Sequence, residues 1–246
     1  MCGIVAAAAG SNIVPVLVEG LKRLEYRGYD SAGLAVVSGD GIERVRSVGR
    51  VAELEAASAG TQAITGIAHT RWATHGVPSE RNAHPHVSGS IAVVHNGIIE
   101  NYESLRNELS ARGHIFTSDT DTESIAHLVE ATLRGEPDLF TAVRVACRRL
   151  VGAYAIAVID HRQPGKVVVA REGSPLLLGI SDTGNYAASD ASALLQVTRN
   201  MVYLENGDIA ELTATGVKIA RLDGTPVDRP VNVSQLSAAA VELGSY

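Results

Sequence analysis

"MCGIVAAAAG", Met1–Gly10, pairs a short apolar run with a thiol placed just ahead of it. Ile4–Ala9 reads as a strand, and Gly10-Ser11-Asn12 behind it reads as a stop followed by a helix start. Cys2 stands directly behind the initiator methionine, and a second residue that small is one a methionine aminopeptidase normally uncovers. The mature chain is then expected to begin with a thiol and a free α-amine on the same residue.

From Ile13 onward Val14, Leu17, Val18, Leu21 and Leu24 recur at helical spacing, with Ser11 or Asn12 as cap and Pro15 in the first turn. "GLAVVSGDGIERVRSV" (33–48) predicts two strands about a glycine-rich turn. "TGIAHTR" (65–71) and "SIAVVHN" (90–96) predict two more, separated by the polar stretch 72–89, whose length without periodicity marks it as functional or disordered. Helices are expected over Asn101–Arg112, closed by Gly113, over Thr122–Arg134, and from about Asp138 to Leu150. The rest is strand-rich: "AYAIAVID", "KVVVARE", "PLLLGI" and "MVYLENGDIAEL", with Asn206-Gly207 placed as a hairpin turn. Strands, then helices, then strands again predict α+β layers with helices packed over sheets.

The 246 residues suffice for a sizeable core, and 46% hydrophobic with 20% charged residues is ordinary for a globular protein. A net charge of −6 with no extended basic cluster speaks against nucleic-acid and anionic-membrane partners. No signal peptide and no apolar window of spanning length is visible, so a cytoplasmic location is expected. Of the two cysteines, Cys147 lies on the apolar face of "AVRVACRRL" and reads as a buried, inert thiol. His75, His84 and His86 lack the pattern of a zinc site, and no metal is expected.

A thiol nucleophile normally borrows a histidine as base. A terminal cysteine has a second option, because an α-amine titrates near about 7.7–8.0 while a lysine ammonium holds its proton to about 10.4. The amine can take the thiol proton and later return it to a leaving amine. Five further segments carry more polar and glycine residues than a core needs: "EYRGYDSAG" (25–33), "HTRWATHG" (69–76), "NAHPH" (82–86), "HNGIIEN" (95–101) and "SDTDTE" (118–123). Read singly, each has a plain alternative: Arg71 or Asp121 in a surface ion pair, "HNG" as a chain reversal, Trp72 as a core residue.

Taken together with Cys2, these segments closely resemble the glutaminase halves of the glucosamine-6-phosphate synthases, a branch of the N-terminal-nucleophile amidotransferases. The resemblance runs from "MCGIV" to about residue 220. "EYRGYDSAG" and "HTRWATHG" are particular to that branch; one departure is Ala6, where the family usually has glycine. It implies a four-layer αββα sandwich of two antiparallel sheets between helical layers. It also implies hydrolysis of L-glutamine to glutamate with release of ammonia, through a γ-glutamyl thioester and without a cofactor.

The site implied by the resemblance comprises Cys2 as nucleophile, with the Asn96 side-chain amide and the Gly97 backbone N–H as oxyanion donors. Arg71 would bind the substrate α-carboxylate and Asp121 its α-ammonium, Thr74 and His75 would line the pocket, and Trp72 would sit on a lid. Arg27 and Gly28 would lie near the nucleophile's amine. Residues 1–225 are expected to form the glutaminase domain, with 226–246 a linker or cut point. The partner would be a sugar-isomerase half that binds fructose 6-phosphate to make glucosamine 6-phosphate, and a homodimer is compatible with this. Two alternatives stand beside it: a standalone glutaminase serving another acceptor, and a non-catalytic regulatory domain of the same fold.

Overall fold

The structure, a computed structural model, describes residues 2–39, 41–72 and 77–236, the Arg27 side chain excepted. β1 (Gly3–Ala9) leads into α1 (Val14–Leu24), and the chain returns as β2 (Ser31–Ser38) and β3 (Gly41–Val48). After α2 (Val51–Ala57) and β4 (Thr65–Arg71) come β5 (His86–Ser88) and β6 (Ile91–Ile99). Three helices follow, α3 (Tyr102–Ala111), α4 (Thr122–Leu133) and α5 (Leu139–Cys147). The remaining strands are β7 (Gly152–Asp160), β8 (Val167–Glu172), β9 (Leu177–Ser181), β10 (Gly184–Ala188), β11 (Asn200–Tyr203), β12 (Asp208–Leu212), β13 (Val217–Arg221) and β14 (Val231–Val233).

These strands form two antiparallel sheets, one of eight strands in the order β14-β11-β9-β10-β1-β4-β2-β3 and one of six in the order β13-β12-β8-β7-β6-β5. Three apolar clusters bind four layers. Val5, Ala7 and Ala9 of β1 pack outward on Leu17, Leu21 and Leu24 of α1, and burying each of those leucines contributes roughly 1.5–3 kcal/mol. Ile4, Ala6 and Ala8 of the same strand face inward onto Ala92, Val94, Ala155 and Ala157 of the second sheet. Ile91 and Val93 of β6 pack on the far side against Ile125, Val129 and Val143 of α4 and α5. The architecture is the expected αββα sandwich. Ala6 lies wholly buried in the inter-sheet layer, so its extra methyl is absorbed by packing between the sheets.

Four details differ from the sequence reading, each for a tertiary reason. The helix α2 has no local signal: the cap for its first turn, Glu25 Oε1 accepting from Val51 N at 2.6 Å, comes from the end of α1. The strand β10 is poor in β-branched residues because it lies close against β1, where a Cβ on Gly184 would meet Ala9 Cβ at 2.4 Å. Asn206-Gly207 is not a hairpin turn. It carries the chain from β11 in one sheet to β12 in the other, held by Arg171 Nη2 and Gly173 N donating to Asn206 Oδ1 at 2.9 and 3.0 Å. The body also runs past residue 225, since Val231–Val233 pairs with β11 and Arg229 makes a two-pronged contact with the buried Asp208 at 2.8 and 2.9 Å.

The described part of the polar connection after β4 is anchored. Asn82 donates to Val77 O and accepts from Asp119 N, both at 3.0 Å, while Arg81 pairs with Asp119. Among the described residues no helix is long and apolar enough to cross a membrane.

Candidate active site

Strand pairing brings the marked segments to one end of the sandwich. β1 and β4 are antiparallel with Gly3 opposite Thr70, so the start of one lies beside the end of the other and Cys2 is set next to Arg71-Trp72. β2 begins at the same level, with Ser31 opposite Arg71 and Asp30 N donating to Arg71 O at 2.8 Å. Side-chain alternation does the rest. Cys2 shares the inward-facing parity of Ile4 and Ala6, His69 and Arg71 that of Ile67, and Asn96 that of Ala92 and Val94. The inter-sheet layer is apolar through the middle and turns polar at this end.

The Cys2 thiol is held by the backbone of its neighbour: Trp72 N donates to Sγ at 3.2 Å, and Sγ lies 3.5 Å from Trp72 O. Burial pushes the thiol pKa up, against the pull of the Trp72 N–H and the Arg71 charge. A thiol so placed does not ionise by itself at neutral pH, and its use as a nucleophile calls for a base.

Asn96 approaches from the second sheet, its Nδ2 donating to Cys2 O at 3.1 Å. The next residue, Gly97, has φ +128°, and a Cβ there would meet Ala153 O at 1.9 Å; only glycine fits. Arg71 is 3% exposed and lies 3.8 Å from Asp30 Oδ1. Asp121 precedes α4 but turns away from capping it, and its Oδ2 accepts from Ile99 N at 2.8 Å. The His95 ring beside it bonds Thr122 Oγ1 at 3.0 Å; burial lowers its pKa while Asp121 works the other way.

Cys2, Arg71, Trp72, Gly97 and Asp121 thus line one cleft, which His84, His95, Thr120 and Thr122 complete. Its volume is about 20 Å³, room for a water molecule and not for an amino acid. Trp72 is 53% exposed rather than a core residue, and its ring lies on Gly28, where a Cβ would sit 2.1 Å from Cε3. Gly28 therefore meets the site through Trp72. Thr74, His75 and the Arg27 side chain lie outside the described residues.

The residues that sequence reading passed over are His69, His84, His95, Thr120, Thr122 and Asp30. All but His84 flank an assigned residue within one or two positions, and all lie inside the five quoted segments. Cys147 behaves as expected, a free thiol buried in α5 with its pKa pushed up to about 12 by burial. Among the described residues no three His, Cys, Asp or Glu side chains gather as metal ligands.

Comparison with known proteins gives one family match and several similar chains. The family described as "Glutamine amidotransferase domain" matches residues 69–196. Glutamine–fructose-6-phosphate aminotransferase (isomerizing) of Xylella fastidiosa is 52% identical over 248 residues, covering 100% of this chain and 41% of the relative. The enzyme of the same name from Acidithiobacillus ferridurans is 57% identical over 250 residues, with the same coverage. The chain thus spans about two fifths of the length of the curated relatives it matches. Among solved structures, the glutamine phosphoribosylpyrophosphate amidotransferase of B. subtilis superposes with a TM-score of 0.77 at 26% identity, over 90% of this chain and 49% of that one. A glutamine aminotransferase class-II domain protein from Silicibacter pomeroyi shares the fold at a TM-score of 0.63 and 16% identity, over 90% and 99% of the two chains.

Proposed function

The chain belongs to the glutamine amidotransferase domain family, and from that premise we propose that Cys2, freed of Met1, is the nucleophile that releases ammonia from L-glutamine. The observation that carries this reading is the convergence of Cys2, Arg71, Gly97 and Asp121 on one cleft, with the Asn96 amide 3.1 Å from the Cys2 carbonyl.

The α-amine of Cys2 takes the thiol proton, and Sγ attacks the carbon of the substrate's side-chain amide. Charge develops on the amide oxygen, where the second N–H of Asn96 and the Gly97 N–H receive it. The C–N bond breaks as the amine returns its proton, ammonia leaves, and a γ-glutamyl thioester remains. Water hydrolyses the thioester to glutamate and restores the thiol. Arg71 takes the α-carboxylate and Asp121 the α-ammonium, and the cleft widens at Trp72 to admit them. Thr74, His75, Arg27 and Gly28 are assigned to glutamine binding beside them.

The ammonia acceptor in this reading is fructose 6-phosphate, bound by a sugar-isomerase half that corresponds to the part of the relatives this chain does not span. The glutaminase domain in this reading includes β14, which pairs with β11. Incubating the purified chain with L-glutamine is expected to yield glutamate and ammonia in equal amounts. Adding fructose 6-phosphate is expected to yield no amino sugar. Absence of glutamate would sink the reading, and amino sugar formed by this chain alone would place an acceptor site within it.

Arg71→Lys tests the substrate assignment separately. A point charge replaces a planar fork, so ground and transition states lose binding alike. KM for glutamine is expected to rise about 10–100-fold, with kcat far less affected. An unchanged KM would remove Arg71 from the α-carboxylate.

A further inference from the structure

We propose that His69 is a positioning residue that fixes which way round the Asn96 side-chain amide stands, and so keeps its N–H groups on the Cys2 side; this rests on the assignment of Asn96 as oxyanion donor. Each bond in the chain that leads there is forced by the one before. The Cys2 carbonyl can only accept, so the Asn96 atom 3.1 Å from it is the amide nitrogen. Asn96 Oδ1 then faces His69 Nε2 at 3.0 Å, and the same nitrogen lies 3.0 Å from the His95 carbonyl. Both neighbours accept, so Nε2 of His69 carries the proton. The His84 ring stands edge-on over that of His69, its Nδ1 3.0 Å from His69 Nδ1 and 3.2 Å from Nε2.

The order runs His69 N–H to Asn96, Asn96 N–H to Cys2. Burial keeps the rings neutral, bringing His69 down to about 3 and His84 well below its ordinary value. Each neutral ring therefore has one N–H to give, and the direction cannot reverse without leaving the Cys2 carbonyl opposed by another acceptor.

The segment that sets the His84 ring against His69 is anchored as well. Arg46 Nη1 donates to Ala83 O at 3.2 Å and Arg44 Nη1 to Pro85 O at 3.4 Å. The His84 carbonyl lies against β2 where residue 33 is glycine; a Cβ there would sit 2.1 Å from it. The segment that carries His84 is thus pinned to the sheet that carries His69.

Without the His69 donor the Asn96 amide can rotate and present its oxygen to the developing oxyanion. The test is steady-state glutaminase kinetics of the full chain with L-glutamine. His69→Leu is expected to lower kcat about 10–100-fold, less than removal of a donor itself, with KM for glutamine little changed. His69→Gln, whose amide N–H reaches the place of Nε2, is expected to recover most of the rate. In an Asn96→Ala background His69→Leu is expected to add no further loss, because the group it positions is gone. Should His69→Leu not fold, His69→Asn, which stops at the place of Nδ1, takes its role with the same expectation. A wild-type kcat in His69→Leu, equal losses in the Leu and Gln variants, or a full multiplicative loss in the Asn96→Ala background would each overturn the proposal. A wild-type rate in Asn96→Ala alone would instead overturn the oxyanion assignment, and the role of His69 with it.

Discussion

A chain that keeps Met1, or carries a short N-terminal tag, is expected to fold as the processed form does and to lose about 10²–10⁴-fold of its glutaminase rate. The thiol is pushed up in pKa by burial, with the Trp72 N–H and Arg71 only partly offsetting it, so the reaction depends on a base. A free α-amine titrating near about 7.7–8.0 is unprotonated often enough at neutral pH to serve. An amide nitrogen cannot take the proton, because its lone pair is delocalised into the carbonyl. The rate of the processed form should rise with pH as the amine loses its proton, and this limb should vanish when Met1 is kept. Thermal unfolding of both forms controls for folding, and N-terminal mass analysis establishes which form is present. A Met1-retained form as fast as the processed one would place the base elsewhere, with His84 and His95 of the same cleft the first to replace.

Asn96→Ala is expected to lower kcat about 10²–10³-fold, the usual loss for one oxyanion donor, with a smaller change in KM. The side chain spans the two sheets, donating to Cys2 O at 3.1 Å and accepting from His69 at 3.0 Å. Truncation removes the donor and leaves the His69 N–H with the His95 carbonyl as its remaining partner. Ammonia release measured over a range of glutamine concentrations separates the two constants. Equal loss in kcat/KM with KM greatly raised would make Asn96 a substrate-binding residue rather than a stabiliser of the transition state.

Much of the site was open to reading from the chain alone because its chemistry is carried by short, contiguous strings. "HNG" holds a donor side chain and a backbone position that only glycine fills, and the closeness of Ala153 O to Gly97 gives the reason. "HTRWATHG" places Arg71 and Trp72 on consecutive residues, and both line the cleft. The histidines were harder. His69 and His84 lie in quoted segments 15 positions apart, and nothing in either string says that the rings meet at 3.0 Å. Their partnership depends on β4 and the segment before β5 lying over the same part of the sheet.

Most of the strand and helix order, the apolar parity of β1 and the helical stripe of α1 follow from the sequence by itself, because each depends on neighbours within a few positions. The sorting of strands into sheets of eight and six, and the crossing at Asn206-Gly207 from one to the other, were decided by tertiary structure. So were the borrowed cap of α2 and the attachment of Val231–Val233 beyond the expected boundary. The direction of the His69–Asn96–Cys2 hydrogen bonds belongs there too. These features join residues from 26 to 94 positions apart, or more. At such separations local pattern carries no information, and the partners are chosen by which apolar faces can be buried together and which buried polar atoms must then be satisfied.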